Sequence, residues 1–284
     1  MVEAGELATF IARYPRLLII TGAGISAASG IPTYRDHHGS WLGGTPIQHQ
    51  EFIEQQERRK RYWARSAVGW TAIAEATPNT AHLCLVKLEQ QGYARLLVTQ
   101  NVDRLHQKAG HQQVIDLHGR LDRVQCLDCS AFESRASIQL RIIRQNPQLQ
   151  NIVAGLAPDG DANVEDMLVQ TMMPPHCLQC DGILMPDVVF FGGAVPRPRV
   201  DAVEQMLGQV DGVLVVGSSL MVYSGFRFCR QAHALGLPIA LLNKGTTRAD
   251  ELATIKLQAD CAVALGQAVN ELQAEGFPGV KSQR

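Results

Sequence analysis

Short apolar runs alternate with amphipathic stretches along most of this 284-residue chain. Runs that are apolar at every position predict parallel strands covered on both faces, whereas apolar residues three and four positions apart predict helices. The predicted strands are residues 16–20, 95–98, 114–117, 213–216, 238–242 and 262–265, and the clearest predicted helices are 81–91 and 200–209. This alternation predicts an α/β fold with a doubly wound, Rossmann-like parallel sheet.

Two segments do not follow the alternation. Residues 36–76 carry no strand pattern but include a charged helical stretch, and residues 123–186 contain four cysteines and a predicted helix at 138–144. We therefore expect three parts. They are a Rossmann-like domain built from residues 1–35, 77–122 and 187–284, a cofactor loop with an inserted helical module at 36–76, and a smaller zinc-binding module at 123–186.

The composition is that of an ordinary globular protein. The 26 Lys and Arg residues and 27 Asp and Glu residues leave a net charge of −1, and 46% of the residues are hydrophobic. A near-neutral chain without a basic block argues against a nucleic-acid partner. No apolar run reaches the roughly 18 residues of a membrane helix, and the N-terminal sequence lacks a secretory-signal pattern. We expect a cytoplasmic protein in a reducing compartment, without membrane contact.

A glycine-rich turn directly follows the first predicted strand. Gly22, Gly24 and Ala27 match the pattern Gly-x-Gly-x-x-Gly/Ala in the strand-then-helix context of a dinucleotide site. Gly22 permits a tight turn, Gly24 lets the backbone approach a diphosphate, and the next helix offers its N-terminal N–H groups. A plain strand–helix connection is the alternative. In dehydrogenases, a second strand that ends in Asp or Glu typically follows about 20 residues later. This chain instead has a loop that carries Arg35, which argues against a hydride-transfer enzyme.

Two Cys-x-x-Cys pairs predict a metal site. Four thiolates without an open position are typical of a structural zinc ion, whereas a catalytic zinc keeps one position for water. Two separate redox pairs are the alternative. The predicted ligands are Cys126, Cys129, Cys177 and Cys180. The remaining cysteines, Cys84, Cys229 and Cys261, are expected to be small buried residues.

Polar clusters follow four of the predicted strands. They lie at residues 99–103, 116–119, 217–219 and 243–245. Ligands of open α/β sheets bind beyond the carboxyl ends of the strands, so these clusters and the glycine turn predict one nucleotide-binding crevice. His118 stands at the mouth of this crevice, and its imidazole is a candidate general base because it titrates near neutrality. A loop histidine bonded to a carbonyl is the alternative.

Taken in order, these motifs resemble those of the sirtuin family of NAD-dependent protein deacylases. The matching pieces are GAGISAASGIPTYR, TQNVD, LHG, the two CxxC pairs, PDVVFFG, GSS and LLN. Within the family the chain is similar to class II, the group of the mitochondrial sirtuin four, through RYWARSAVGW, LAPDGD, VVFFG and VYSGFRF. Three residues depart from the usual pattern: Tyr34 replaces Phe, Arg104 replaces Gly, and Gly193 replaces an acidic residue. Arg104 and Gly193 flank the expected substrate path.

The resemblance implies a protein-lysine deacylase that uses NAD as co-substrate, binds one structural Zn2+ and produces nicotinamide, deacylated lysine and O-acyl-ADP-ribose. His118 would be the general base, and Asn101 and Asp103 would hold the nicotinamide. The other implied NAD contacts are Gly22, Ala23, Gly24, Ser26, Tyr34, Arg35, Gln100, Gly217, Ser218, Ser219, Asn243, Lys244, Gly245 and Cys261. The acyl-lysine of a protein substrate would lie beside Val188, Val189 and Phe191.

The pair Tyr62-x-x-Arg65 lies in the expected helical module. In sirtuins that remove succinyl and malonyl groups, a Tyr-x-x-Arg pair on a comparable segment binds the acyl carboxylate, so the resemblance implies a carboxylate pocket here. A spacing of three places both side chains on one helix face, and the planar guanidinium of Arg can bond a carboxylate at two points. The alternative is a solvated basic face, because residues 58–61 are all basic.

Two other function classes remain open from the sequence. Transfer of ADP-ribose from NAD to a protein acceptor would use the same residues. A zinc-ribbon module that binds nucleic acid or protein would need basic residues and interleaved aromatics around the cysteines. Asp122, Asp128 and Glu133 interrupt any such patch, so this class ranks last.

Overall fold

The computed structural model describes residues 2–33, 46–150, 152 and 164–274 of the chain. Its strands are β1 (Leu17–Thr21), β2 (Ala94–Thr99), β3 (Val114–Asp116), β4 (Gly119–Cys126), β5 (Phe132–Ser134), β6 (Leu184–Val188), β7 (Gly212–Val216), β8 (Ile239–Leu242) and β9 (Ile255–Leu257). The larger, six-stranded sheet is parallel throughout and has the order β3-β2-β1-β7-β8-β9. This order is that of a doubly wound sheet, so the predicted fold class is confirmed.

The helices lie before, between and after these strands. They are α1 (Val2–Arg13), α2 (Ala23–Ser26), α3 (His49–Glu54), α4 (Gln56–Glu75), α5 (Thr80–Gln90), α6 (Leu105–Ala109), α7 (Arg135–Gln145), α8 (Asp166–Gln170), α9 (Arg197–Leu207), α10 (Tyr223–Ala234) and α11 (Cys261–Ala274). The predicted helices at 81–91, 138–144 and 200–209 correspond to α5, α7 and α9. Among the described helices, none combines the length and the apolar character that a membrane crossing requires.

β1 lies inside the larger sheet and is buried at all five of its positions. Leu17 and Ile19 belong to the core that α1, α5 and α11 cover, whereas Leu18 and Ile20 belong to the core beneath α9 and α10. Successive side chains of a strand point to opposite faces, so five consecutive buried residues require a sheet covered on both sides. The continuous apolar runs of the sequence have this physical origin.

The smaller sheet is antiparallel and has the order β5-β4-β6. Most of its buried apolar side chains form a core with α3, α4 and α7, in which Phe52 and Trp63 lie with Val124 and Ile142. Cys126 and Cys177 also belong to this core. The helical stretch around α4 and the cysteine-bearing segment therefore pack together.

A buried arginine joins α7 to α4. Arg135 is 1% exposed, and the carbon at the centre of its guanidinium lies 4.9 Å from the ring centroid of Trp70 and 5.5 Å from that of Trp63. Its Nη2 also donates to the backbone oxygen of Ser66 at 3.1 Å. Burial lowers the pKa of Arg135 to about 10, which leaves the side chain charged at neutral pH and able to make cation–π contacts with both indoles.

The predicted strand at 262–265 is wrong, because these residues begin α11. Asp260 Oδ1 accepts hydrogen bonds from the N–H groups of Ala262 at 3.0 Å and Val263 at 3.3 Å, as a helix-capping carboxylate does. The apolar run is the first part of a longer helical pattern, whose buried residues are Ala264, Leu265, Ala268, Val269 and Leu272. The sixth strand is instead β9, a three-residue strand at the edge of the sheet.

Candidate active site

The glycine turn between β1 and α2 packs against the end of β7. Gly22 N donates to Val216 O at 3.4 Å, and Gly24 N donates to Gly217 O at 2.8 Å. A Cβ on Gly24 would lie 2.8 Å from that same Gly217 oxygen, so close packing of two loops requires glycine here. α2 has only four residues, so it has no long helix dipole. It can bind an anion only through its own backbone N–H groups.

A polar network connects this turn to the segment after β2. Ser26 Oγ donates to Asp103 Oδ2 at 2.7 Å, and Asn101 Nδ2 donates to Ser26 Oγ at 3.0 Å and to Gly22 O at 3.1 Å. Leu105 N donates to the other carboxylate oxygen of Asp103 at 2.9 Å. Burial raises the pKa of Asp103 above its ordinary value. The hydrogen bonds from Leu105 N and Ser26 Oγ and the charge of Lys108 oppose this shift without cancelling it. The structure therefore brings together Asn101, Asp103 and Ser26, which the sequence predicted as site residues.

The ends of β1, β2 and β7 are joined through Gln100. Its Nε2 donates to Ser218 Oγ at 2.8 Å and to Thr21 O at 3.2 Å. Ser218 is 6% exposed, and its Oγ also accepts a hydrogen bond from Leu220 N at 3.2 Å. The side chains at these strand ends thus hold one another in place.

His118 follows β3 at the same edge, and both of its ring nitrogens have partners. Nδ1 lies 3.0 Å from the Gln100 carbonyl oxygen, which can only accept, so Nδ1 carries the hydrogen. Nε2 lies 2.7 Å from Ser224 Oγ. Burial lowers the pKa of His118 to about 4, the bond to Gln100 opposes this shift, and the charge of Arg199 adds to it. The imidazole is therefore neutral at physiological pH, the state that a general base requires.

Ser224 and Arg199 are neighbours of His118 that the sequence alone did not indicate. Ser224 lies in the first turn of α10, and Arg199 lies in the first turn of α9. Ser224 belongs to the segment VYSGFRF, which was used only for the family resemblance. Because both residues are far from His118 in sequence, their approach depends on how the two helices pack against the sheet.

Most of the other predicted NAD contacts lie directly after β7 and β8; Ala23 and Cys261 instead begin α2 and α11. Asn243 Nδ2 donates to Gly245 O at 3.1 Å, and the exposed Lys244 pairs with Asp260 at 2.8 Å. Burial raises the pKa of Cys261 to about 12, so this residue is a thiol at neutral pH. Ser219 and Gly217 lie directly after β7, and Ala23 is the first residue of α2. Tyr34 and Arg35 lie outside the described residues.

The predicted substrate segment runs from the end of β6 past His118. Val189 N donates to the His118 carbonyl oxygen at 2.8 Å, and Phe191 O accepts a hydrogen bond from His49 N at 2.8 Å. Val188 is the last residue of β6 and pairs with Gly119 in β4. Backbone hydrogen bonds therefore hold this segment at two points, to His118 and to His49 at the start of α3.

Tyr62 and Arg65 lie on α4, which is adjacent to this segment. The ring of Tyr62 lies 5.3 Å from that of Phe190 and 5.4 Å from that of Phe52, centroid to centroid. Tyr62 is 5% exposed, which does not fit the alternative of a fully solvated basic face, and Arg65 is half-buried. Contact between Tyr62 and Phe190 places the Tyr-x-x-Arg pair next to the predicted substrate segment.

The two unusual residues beside the substrate path differ in their surroundings. Arg104 has a φ of 66°, a left-handed conformation in which glycine is favoured, and its guanidinium pairs with Asp116, which also accepts from Gln107 at 2.8 Å. Gly193 N donates to Phe190 O at 2.9 Å. The ion pair with Asp116 is the interaction that Arg104 makes from this left-handed position.

The four predicted cysteine ligands come together in the smaller sheet. Their sulfur atoms all lie within 4.8 Å of one another, with Cys126 Sγ 3.5 Å from Cys180 Sγ and Cys129 Sγ 3.6 Å from Cys177 Sγ. A tetrahedral zinc ion with Zn–S bonds of about 2.3 Å separates its sulfurs by about 3.8 Å, so the observed distances fit one structural zinc ion. All four ligand positions are filled by thiols, which is the coordination of a structural site.

Comparisons with known proteins agree with this geometry. A sequence profile of the Sir2 family matches residues 22–224. The chain is 51% identical over 260 residues to "NAD-dependent protein deacetylase 2" of Bradyrhizobium diazoefficiens, which covers 92% of this chain and 95% of that protein. It is 47% identical over 263 residues to the human "NAD-dependent protein lipoamidase sirtuin-4, mitochondrial", which covers 92% of this chain and 84% of that protein.

Solved structures give the same result. A structure described as "Structural Basis for the Mechanism and Regulation of Sir2 Enzymes" is similar with a TM-score of 0.76 and 27% identity, and it covers 96% of this chain and 99% of that chain. A structure described as "Sir2-p53 peptide-NAD+" is similar with a TM-score of 0.72 and 26% identity, and it covers 96% of this chain and 98% of that chain.

Proposed function

Because this chain belongs to the Sir2 family, we propose that it is an NAD-dependent protein deacylase. It removes an acyl group from a protein lysine and produces nicotinamide and O-acyl-ADP-ribose. One observation carries this proposal. His118, Asn101, Asp103 and the glycine turn lie in one hydrogen-bonded group at the carboxyl ends of neighbouring strands. This is the edge at which open α/β sheets bind nucleotides.

The groups at this edge fit the chemistry of NAD. Carboxamides and a carboxylate from Gln100, Asn101 and Asp103 can bond an amide or a ribose hydroxyl, and Ser26 and Ser218 add hydroxyls. When bound, NAD supplies an electrophilic ribose carbon that receives the acyl oxygen as nicotinamide leaves. We propose that Asn101 and Asp103 hold the nicotinamide amide. We also propose that the turn from Gly22 to Ser26, with Ala23, contacts the diphosphate, and that Ser218, Ser219 and Asn243 contact the adenosine half, with Cys261 near the adenine.

His118 has the role of general base in this proposal. Its Nδ1–H is bonded to the Gln100 carbonyl, which fixes both the tautomer and the plane of the ring. Nε2 is then the nitrogen that can accept a proton from a ribose hydroxyl. A neutral ring in this tautomer can accept that proton without a change of tautomer.

The zinc ion contributes to the fold and takes no part in the chemistry. The four cysteines would hold it without an open position for water or substrate, so it cannot act as a Lewis acid toward the acyl group. Its contribution is to fix β4 and β6, and β6 leads into the predicted substrate segment. The smaller sheet thereby forms one wall of the substrate cleft.

We further propose that the acyl group carries a carboxylate, because the pair Tyr62-x-x-Arg65 resembles the pair that binds the acyl carboxylate in sirtuins that remove succinyl and malonyl groups. Tyr62 contacts Phe190 beside the substrate segment, and Arg65 lies one helical turn further along α4. The guanidinium of Arg65 would bond the carboxylate in two places. The human relative is named a lipoamidase, and a lipoyl group carries no carboxylate, so a peptide series must include both kinds of acyl group.

Adenine-labelled NAD and acyl-lysine peptides test the proposed function. Acetyl-, glutaryl- and lipoyl-lysine versions of one peptide are incubated with the zinc-loaded protein, and the products are resolved by mass spectrometry. We expect the label in a small O-acyl-ADP-ribose product, in proportion to deacylated peptide. Label on a protein would instead identify ADP-ribosyl transfer, the alternative that the sequence leaves open, and would overturn the proposal.

A further inference from the structure

The hydroxyl of Ser224 occupies the nitrogen of His118 that has to accept a proton. Ser224 Oγ lies 2.7 Å from His118 Nε2, a short distance for a hydroxyl-to-nitrogen hydrogen bond. Because Nδ1 carries the ring hydrogen, Nε2 has a lone pair and the Ser224 hydroxyl is the donor. A role for this contact rests on the proposed function, since it concerns the base of that reaction.

The first turn of α10 packs closely against the strand ends. A Cβ on Gly225 would lie 2.6 Å from Oε1 of Gln100, so a larger residue here would require the Gln100 side chain to move. Gln100 is also the residue whose carbonyl oxygen accepts from His118 Nδ1. Ser224 therefore contacts His118, and the adjacent Gly225 packs against Gln100. His118 and Gln100 are hydrogen-bonded to each other. The contact between Ser224 and His118 is part of this packing.

Within the part of the chain that the structure describes, few charged groups act on His118. Arg199 on α9 is the charged group that acts on its titration, and Arg199 in turn lies 3.8 Å from Asp187 on β6. Asp116 lies two residues before His118 at the end of β3 and is itself paired with Arg104. A hydrogen bond donated to the lone pair of Nε2 stabilises the neutral ring, because protonation of that nitrogen breaks it. Ser224 thus acts on His118 in the same direction as burial and Arg199.

We propose that Ser224 is the positioning residue of the general base: its hydroxyl donates to His118 Nε2 and holds the neutral imidazole in the orientation that the reaction uses. Gln100 on one side and Ser224 on the other then fix the ring at both nitrogens. Loss of the hydroxyl leaves the ring with one anchor. It also makes Nε2 easier to protonate, so the base is inactivated at a higher pH.

The first test measures His118 directly and needs no substrate. The full-length, zinc-loaded protein is prepared with labelled histidine rings, and the His118 signal is assigned by its absence in His118→Asn. A neutral-partner hydrogen bond contributes about 0.5–1.5 kcal/mol, so in Ser224→Ala the pKa of His118 should rise by about half to one pH unit. An unchanged His118 pKa in Ser224→Ala would overturn the proposal.

The second test is the pH profile of deacylation. In Ser224→Ala we expect a kcat about two- to tenfold lower with the peptide KM unchanged, and an acid limb shifted to higher pH. Ser224→Thr keeps a hydroxyl and should restore both quantities. Tyr223→Phe is the matched control, since it removes a hydroxyl from the neighbouring residue, which bonds Arg230 at 3.3 Å.

The outcomes separate this inference from the proposed function. An unchanged or increased kcat in Ser224→Ala means that the hydroxyl does not position the base and overturns the inference. A wild-type protein that deacylates no peptide contradicts the proposed function. In that case the labelled-histidine measurement still decides whether Ser224 holds the His118 ring.

Discussion

The four-cysteine cluster and the strand-end crevice are built in different ways. The cluster has four chemically identical ligands from two Cys-x-x-Cys turns, and its sulfur atoms converge within 4.8 Å of one another. The crevice takes its residues from separate loops, and each side chain has its own partner: Gln100 bonds Ser218, Ser26 bonds Asp103, and Ser224 bonds His118. Loss of one member should therefore unfold the first region but remove only one chemical task from the second.

The two regions also differ in the cores beneath them. The larger sheet separates two apolar cores, and β1 is buried from end to end. Most buried apolar side chains of the smaller sheet lie in a core that they share with α3, α4 and α7, and this core includes the metal ligands Cys126 and Cys177. Metal binding and folding are therefore coupled in the smaller unit, whereas the larger sheet has no such requirement.

Loss of a metal ligand is the largest expected effect. Cys126→Ser should lose bound zinc and soluble protein together, because three ligands cannot replace the folding free energy of a closed four-thiol site. Zinc per chain and soluble yield are measured beside Leu127→Ser, which changes the neighbouring, partly exposed residue of the same turn. Purified protein that holds less than about half an equivalent of zinc, yet is fully active, would contradict this account.

Loss of the general base should leave the fold intact. His118→Ala should reduce deacylation by about 10²–10⁴-fold, while NAD binding and thermal unfolding stay close to those of the wild type, because the base acts after the co-substrate is bound. Initial rates, NAD affinity by calorimetry and the melting temperature are measured on the same preparation. Asn101→Ala should instead slow the release of nicotinamide. Wild-type rates in His118→Ala on every acyl peptide would show that the proposed mechanism is wrong.

Acid should weaken the larger domain through buried histidines. His82, His106 and His111 are each at most 4% exposed, and burial lowers the pKa of all three, that of His82 to about 4. Between about 6.5 and 4 the unfolded chain binds more protons at these sites than the folded chain, so stability falls as the pH falls. From pH 8 to 5, His82 alone should account for about 2 kcal/mol of this loss.

Urea unfolding at pH 8 and pH 5 measures this dependence. His82→Asn keeps an acceptor for the Asn79 N–H, which lies 3.3 Å from His82 Nδ1, and should show the shallower pH dependence. His233→Asn, an exposed position near the end of α10, is the control and should keep the wild-type dependence. An equal loss of stability in wild type and His82→Asn would show that His82 does not titrate as described.

The acyl preference is the smallest expected effect. A charge-assisted hydrogen bond contributes roughly 1.5–3 kcal/mol, so glutaryl-lysine should be preferred over acetyl-lysine by about ten- to a hundredfold. Arg65→Met should abolish this preference with little effect on aliphatic acyl groups. The control is Arg61→Met, which changes another arginine of α4. This substitution removes the ion pair between Arg61 and Asp166 of α8. If every acyl group loses activity equally in Arg65→Met, Arg65 is structural.

The elements that the sequence predicted well are those with a local cause. A strand buried on both faces is a continuous apolar run, so β1, β2, β7 and β8 were recognisable over four or five residues. The apolar run at 262–265 gave a wrong strand prediction, because the helical spacing of its apolar residues is visible only over the full length of α11. β9 is short, lies at the edge and includes Lys256, so it has no such run.

The same distinction applies to the site. The convergence of the four cysteines was predictable because each turn fixes two of them by spacing alone, and the position of His118 was predictable because strand ends meet at one edge. Ser224 was not, because its contact with His118 depends on how α10 packs against Gln100. Packing between distant segments leaves no local signal in the sequence.

The ratio of nicotinamide released to lysine deacylated tests the central claim most directly. The zinc-loaded protein, an acyl-lysine peptide and NAD are followed over time, with a parallel reaction from which NAD is omitted. The account predicts one nicotinamide per deacylated lysine, no reaction without NAD, and loss of deacylation in His118→Ala. Deacylation that continues without NAD, or nicotinamide release without any deacylated lysine, would contradict it.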